Sequence, residues 1–372
     1  SIFLFTRSNG YNILPFSNNI MLYLYSVIGS IVILYLSTSR IKLKAIDILC
    51  LVYFIYNLLW LLVTSKTKNI ETIYLFFFLA MLYINIRNIS SIYYKYILYS
   101  FPFIVISHFI YYICWENPYY FLYEHKGVFT GFLHNSGLWG EFVAMTLICN
   151  IGLIHLNKKS KKTSTLLIFV SFIVSFMLYE SDSRASWLSF AIGILTFFSP
   201  LIIKHLPKSI IIRTGSLLIL ICLCTYLISG LYSYKKDSAD GRILIWKISL
   251  EMVKDKPILG YGFDGFRKNY MNYQAAYLQE KQLPETINNL ADDNHHAFNE
   301  FLRIIIEQGI IGVIILFIFL TTIGYTIYKY KLYIDTVSRT IISCLTALLF
   351  FSFFSYPLST FHINALIVIL LA

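Results

Sequence analysis

Charge is what this chain has least of. Lys, Arg, Asp and Glu together make up 13% of its 372 residues, against roughly 25% in an ordinary soluble domain, and the mean hydropathy is +0.67. That shortage excludes a soluble globular protein, and the same figures exclude a disordered chain, which needs low hydrophobicity. Cysteine is sparse as well: six residues spread through apolar segments do not make a small disulfide scaffold. Alternating strands of about ten residues, which a membrane β-barrel would need, are missing. The apolar stretches instead run unbroken for about twenty residues, the length an α-helix needs to cross the hydrocarbon. Internal repeats and heptads are missing too. The fold class read from these absences is an all-α polytopic membrane protein, a bundle of about 11–12 transmembrane helices.

What is there orders itself along the chain. Hydropathy places spans near residues 20–38, 45–64, 70–86, 96–114, 134–156, 163–180, 186–203, 210–230, 299–327, 339–356 and 358–372. The net charge of +11 is a topology signal. One set of alternate loops carries Arg40, Lys42, Lys44, the Lys158–Lys162 cluster, Lys204, Lys208 and Arg213, whereas the opposite short loops hold only Arg7, Lys66, Lys68, Lys126 and Arg184. By the positive-inside rule the first set is cytoplasmic, so 1–19, 115–133, 181–185 and 231–298 face outward. Three parts follow: 1–230, about eight spans; 231–298, one large periplasmic loop with interfacial helices; and 299–372, about three spans. In that loop nine Lys/Arg are matched by nine Asp/Glu; no basic patch stands out, and no nucleic-acid partner is expected. No cleavable signal peptide is read. Both ends stop at or near apolar runs and the first residue is Ser1 rather than Met, which fits a chain trimmed of one further helix. Cys50, Cys149, Cys222, Cys224 and Cys344 fall inside spans as small apolar packers, Cys114 has no obvious partner, and no disulfide is expected.

Ionisable groups in or beside spans are candidates for function because hydrocarbon makes them costly. Glu141 lies about two turns into its span, either functional or paired with an Arg or Tyr of a neighbouring helix. His108 reads as a hydrogen-bonded core histidine. In Glu180-Ser-Asp-Ser-Arg-Ala-Ser-Trp187, Ser181, Asp182 and Ser183 are all good N-caps, which puts Arg184 in the first turn of the next helix. A helix N-terminus with a guanidinium suits phosphate; the alternative is an arginine snorkelling to headgroups. Within the outward loop, residues 240–254 place Ile243, Trp246, Leu250 and Val253 on one helical face and Lys247, Glu251 and Lys254 on another, as in a helix lying in the interface. Arg242 opens that helix as Arg184 opens its own. Pro257-Ile-Leu-Gly-Tyr-Gly262 lacks the Lys-Ser/Thr ending of a phosphate loop and reads as a flexible connection between packed helices. Asp293 or Asn294 can cap the next helix, with His295 and His296 in its first turn, where the dipole keeps an imidazole neutral and able to accept a proton. Adjacent histidines without a His-x3-His or Cys pair make no metal site.

Taken in order, these residues resemble the bacterial family of O-antigen ligases and O-antigen polymerases, membrane glycosyltransferases. The resemblance runs from about Gly127 to Gly312 and rests on Gly131 to Glu141, Ser183-Arg184, Gly241-Arg242 with Trp246, Pro257 to Gly262, His296-Ala-Phe-Asn299 and Glu307-Gln-Gly-Ile-Ile-Gly312. It implies transfer of a glycan from undecaprenyl pyrophosphate to an acceptor hydroxyl on a glycan, lipid A-core or protein. The reaction would run at the periplasmic side of the bacterial inner membrane, with no cofactor and no metal. By the same resemblance Arg184 and Arg242 match the arginines that hold the pyrophosphate, and His296 matches the first histidine of a His-x-His-Asn motif; the residues themselves make His296 the candidate general base, with His134, Asn135, Glu141 and Asn299 in the substrate-binding set. Phe298 departs from the pattern, standing where many relatives carry a second histidine. The residues alone suggest an inverting displacement, with the arginines offsetting charge on the leaving diphosphate. A polysaccharide polymerase or protein O-oligosaccharyltransferase is the nearest alternative. A flippase or other transporter is more distant, since inverted repeats and paired helix breaks are not seen.

Overall fold

The computed structural model describes residues 45–64, 70–87, 89, 93–116, 129–205, 226, 229–281 and 284–372. Among them there are helices and no strands: α1 (Ala45–Thr64), α2 (Ile70–Arg87), α3 (Tyr94–Tyr111), α4 (Ser136–Leu156), α5 (Lys161–Glu180), α6 (Arg184–Lys204), α7 (Lys236–Asp255), α8 (Gly265–Lys281), the short α9 (Glu285–Asn288), α10 (Glu300–Lys329), α11 (Thr336–Phe351) and α12 (Phe361–Leu371). Six are long and apolar enough to cross a membrane: Asp47–Thr64, Tyr94–Cys114, Ser136–Leu156, Lys161–Glu180, Arg184–Lys204 and Glu300–Lys329. The protein is a multi-pass, all-α membrane protein. Shorter apolar helices fall at Leu75–Arg87, Thr336–Phe351 and Phe361–Leu371. The spans expected at 20–38 and, for most of its length, 210–230 lie outside the described residues.

The chain divides into two compact units, Ser1–Phe197 with Ile315–Ala372, and Phe198–Ile314. In the first, α4 is the central helix, buried from Leu138 to Leu153 apart from Ile151 and packed by α3, α5 and α11. Lipid tails are as apolar as leucine, so burial among helices brings little hydrophobic gain and close contact must hold the bundle. Small residues supply it: a Cβ on Gly152 would lie 2.1 Å from Thr340 Oγ1, and one on Gly140 would lie 2.7 Å from Ser181 Oγ. Helix starts are capped by Asn135, whose Oδ1 accepts from Leu138 N (3.0 Å), and by Asp335, whose Oδ2 accepts from Ser338 N (2.9 Å). Buried Asn150 donates to Ser171 Oγ at 3.3 Å. Asp47 of α1 accepts from Arg87 Nε (2.8 Å) and Tyr83 OH (2.7 Å) of α2, which ties that hairpin. Cys149 and Cys344 are buried with their thiols in contact at 3.6 Å.

In the second unit α7 lays Leu244, Ile245, Ile248 and Met252 against Phe266 and Tyr270 of α8, with Ala297 and Ile306 completing the core. The residues packed on α8 differ from the apolar stripe Ile243, Trp246, Leu250 and Val253 read for an interfacial helix. Ile243 and Leu250 are exposed, while Trp246 and Val253 are half-buried against the core's edge. Helix α7 starts at Lys236, four residues before Asp240.

Candidate active site

Within the second unit, α7 grips the segment leading into α10. Trp246 Nε1 donates to Ala297 O at 3.0 Å, and the Arg242 guanidinium lies 5.2 Å from the centre of the Phe298 ring, a cation–π distance. Phe298 has φ +49°, an uncommon backbone for a bulky side chain, and the two contacts from α7 hold it there. Asn299 then caps α10, its Oδ1 accepting from Leu302 N at 3.0 Å. Two expectations are corrected. Arg242 stands nearly two turns inside α7 rather than at its start, so the helix dipole does not supply its setting; the Phe298 ring does. His295 and His296 precede α10 instead of occupying its first turn, because Asn299 takes the cap in place of Asp293 or Asn294.

The histidine at 296 is nevertheless neutral, for another reason. Partial burial, and then the positive charges of Arg303, His295 and Arg267, lower its pKa from 6.5 to about 4. His295 is the more exposed of the pair, with Nε2 at 3.8 Å from Asp293 Oδ2. Beyond the cap, Arg303 bridges two buried glutamates, Nε to Glu300 Oε2 at 2.6 Å and Nη1 to Glu307 Oε2 at 3.1 Å. This triad escaped the sequence reading, although its i, i+3, i+4 spacing about Arg303 was a legible signal.

The glycine turn is not a flexible connection. Tyr261 N donates to Ile306 O (2.8 Å), Gly262 N to Glu307 O (2.9 Å), and Ile310 N to Pro257 O (2.9 Å). The turn thus takes over backbone groups of α10 and breaks the helix at Gly309 (φ 63°, ψ −163°). A Cβ on Gly309 would sit 2.0 Å from Ile258 O, and one on Gly260 (φ +65°) 2.5 Å from Ile306 O. Two motifs far apart in sequence, 257–262 and 307–312, are one backbone clasp.

In the first unit the starts of α4 and α6 meet. Ser183 caps α6, its Oγ accepting from Ser186 N at 3.4 Å, and Arg184 is the first helical residue, as the serine-rich turn implied. Ser186 Oγ donates to Gly137 O at 3.0 Å. Glu141 is wholly buried; Ser189 donates to one carboxyl oxygen, and the other has no hydrogen-bond partner among the described residues. Its partner is a serine rather than the arginine or tyrosine considered from the sequence. Asn135 Nδ2 donates to Tyr356 OH at 2.8 Å, and His134, with φ 50°, is exposed beside it. His134, Asn135, Glu141 and Arg184 thus gather in one unit, and Arg242, His296 and Asn299 in the other. Among the described residues no group of three or more His, Cys, Asp or Glu could hold a metal ion.

Residues 169–317, which carry Arg184, Arg242, His296 and the clasp, match the family described as O-antigen ligase. The segment is similar to the O-antigen ligase family. The chain is also 30% identical over 223 residues to a Rickettsia conorii protein provisionally named a polysaccharide ligase, the match covering 57% of this chain and 50% of that one. A Rickettsia typhi protein of the same provisional name is 32% identical over 193 residues, 50% of this chain and 44% of its own. An uncharacterised Haemophilus influenzae protein is 28% identical over 193 residues, 47% and 46% of the two chains. The chain spans about half the length of the curated relatives it matches. No solved structure matches it. His134, Asn135 and Glu141 lie upstream of the matched ligase segment, and Phe298 lies inside it.

Proposed function

We propose that the chain is a membrane glycosyltransferase of the ligase kind, taking a glycan from undecaprenyl pyrophosphate and passing it to an acceptor hydroxyl at the periplasmic face of the inner membrane. The observation that carries this reading is Arg242 stacked on Phe298, two residues from a neutral His296, all within the ligase-family segment. A fixed cation suits the donor's diphosphate, and a neutral imidazole can accept a proton. Arg184, at the capped start of α6, is the second cation. Residues 231–298 are the outward loop.

The step balances as follows. The acceptor oxygen attacks the anomeric carbon while the bond from that carbon to the diphosphate oxygen breaks, and the bonding pair leaves on the diphosphate. The hydroxyl proton passes to His296. Attack from the face opposite the leaving group inverts the centre. A base with a pKa of about 4 is weak, but a bound diphosphate adds negative charge that favours the imidazolium and moves the base toward the working range. No divalent metal enters the step, because the arginines supply the positive charge.

Donor binding and turnover, measured on purified full-length variants, test this reading. Arg184→Ala and Arg242→Ala should weaken donor binding and slow transfer together, and Arg→Lys should restore only part, since an ammonium lacks the bidentate contact. His296→Ala should keep donor binding and lower turnover by about 10²–10⁴, while His295→Ala, more exposed and beside Asp293, should have little effect. A dead His295→Ala with an active His296→Ala would move the base by one residue. If only the arginines mattered, transfer would proceed without a protein base.

A further inference from the structure

Helix α10 is longer than a bilayer needs. Its 30 residues rise about 45 Å at 1.5 Å per residue, against about 30 Å of hydrocarbon. The break at Gly309 divides it. Residues 310–329 rise about 30 Å by themselves and hold no charge before Lys329, whereas the piece before the break carries Glu300, Arg303 and Glu307. A span made of residues 310–329 would put the break at the boundary between hydrocarbon and headgroups, and the bond from Ile310 N to Pro257 O ties the 257–262 turn to that break.

Beside the break the turn presents exposed apolar side chains. Ile258 is 62% exposed and Leu259 57%, with Ile310 and Ile314 of α10 also exposed. Two adjacent exposed aliphatic residues on a turn bonded to α10 continue the exposed apolar surface of Ile310 and Ile314. Beside them is a groove of about 480 Å³ whose lining includes Lys247, Leu250, Glu251, Lys254, Pro257 and Tyr277. Lys254 pairs with Glu251 at 2.9 Å, and Lys247 and nearby Lys256 leave the groove's edge with an excess of positive charge, complementary to a phosphate-bearing surface.

We propose that the 257–262 turn is a membrane anchor: Ile258 and Leu259 enter the acyl region of the leaflet, and Lys247 and Lys254 meet headgroup phosphates of anionic phospholipid in the groove beside them. The anchor holds α7 in the interface by its lysine-bearing side, and it stands whether or not the glycosyltransferase reading does.

The test uses the full chain with a photo-crosslinking amino acid at position 258, reconstituted in nanodiscs of equal parts phosphatidylcholine and phosphatidylglycerol. Position 317 on α10, where Phe317 is 66% exposed, is the lipid-facing control, and exposed Lys236 the aqueous one. Mass spectrometry should find lipid adducts at 258 and 317 and none at 236. Adducts to a second copy of the chain at 258, or none there while 317 labels, would overturn the anchor. Phosphatidylglycerol should be enriched at 258 relative to 317, by about fivefold if one lysine acts alone, and Lys247→Gln with Lys254→Gln should bring the two ratios together. Equal ratios in the parent protein, or enrichment that survives the double substitution, would overturn the phosphate contact.

Discussion

Replacing Gly309 by alanine asks whether the break in α10 is built by the turn that docks there. The backbone at Gly309, φ 63° and ψ −163°, lies in a region almost confined to glycine, and holding an alanine in it costs about 1–3 kcal/mol. The new methyl would meet Ile258 O at 2.0 Å, so the turn must retreat. Retreat opens the bonds from Ile310 to Pro257, Tyr261 to Ile306 and Gly262 to Glu307, each costing about 1–3 kcal/mol if its groups stay unpaired and dry. Partial re-pairing within α10 recovers some of this, leaving roughly 3–5 kcal/mol. Gly324 is the matched control on the same helix: nothing among the described residues lies within 4 Å of its added Cβ, and alanine there gains up to about 1 kcal/mol of helix propensity. The two variants should therefore differ in sign. In detergent, scanning fluorimetry should show Gly309→Ala melting at least about 5 °C below the parent and Gly324→Ala at or above it, with half-lives at a fixed temperature in the same order because such unfolding is often irreversible. Equal melting temperatures for the parent and Gly309→Ala would refute the clasp as a source of stability.

Acid should weaken the fold through His296. Its pKa is about 4 in the folded chain against an ordinary 6.5, so between those values the unfolded chain binds more protons; the stability is complete above about 6.5 and is lost as pH falls toward 4. Thermal scans of the parent and His296→Gln across that window should show a shallower acid slope in the variant, by about 1–3 kcal/mol at the acid end; identical slopes would exclude the imidazole. Transfer by purified protein should survive a chelator, and activity that returned only with Mg²⁺ or Mn²⁺ would overturn the arginine mechanism. Reporter fusions at Lys236 and Lys161 should read periplasmic and cytoplasmic; a cytoplasmic signal at Lys236 would put the candidate site on the wrong side for a lipid-linked donor.

What the sequence made legible was set by short-range rules. Span lengths follow from local hydropathy, and α1 and α3 to α6 fall within a few residues of the spans read for them. The Ser183–Arg184 cap was readable because a serine hydroxyl competes locally for the first free N–H groups. Local rules failed where several residues could do one job. Asp293, Asn294 and Asn299 are all competent caps, and only the packing of Ala297 and Phe298 against α7 selects the last. The start of α7 carries no strong cap, with Lys235 at that position making no side-chain capping bond, so the place of Arg242 within the helix could not be counted from a fixed origin. The clasp was invisible because the partners of 257–262 lie about fifty residues away and a glycine turn carries no mark of what it will touch. Nothing in its own neighbourhood marked Ser189 as the partner of Glu141.

The place of α4 at the middle of the first unit bears on how the protein is made. Its neighbours α3 and α5 leave the ribosome just before and just after it, but α11, which covers Gly152 with Thr340 and Cys149 with Cys344, follows only after the whole second unit has been synthesised. Through that interval one side of a helix bearing Glu141, Thr146 and Asn150 lacks its final neighbour. The nascent chain must be sheltered by the insertion machinery or by other helices until α11 arrives. Translation halted before residue 336 would leave an incompletely covered polar helix in the bilayer, the kind of product that membrane quality-control proteases remove.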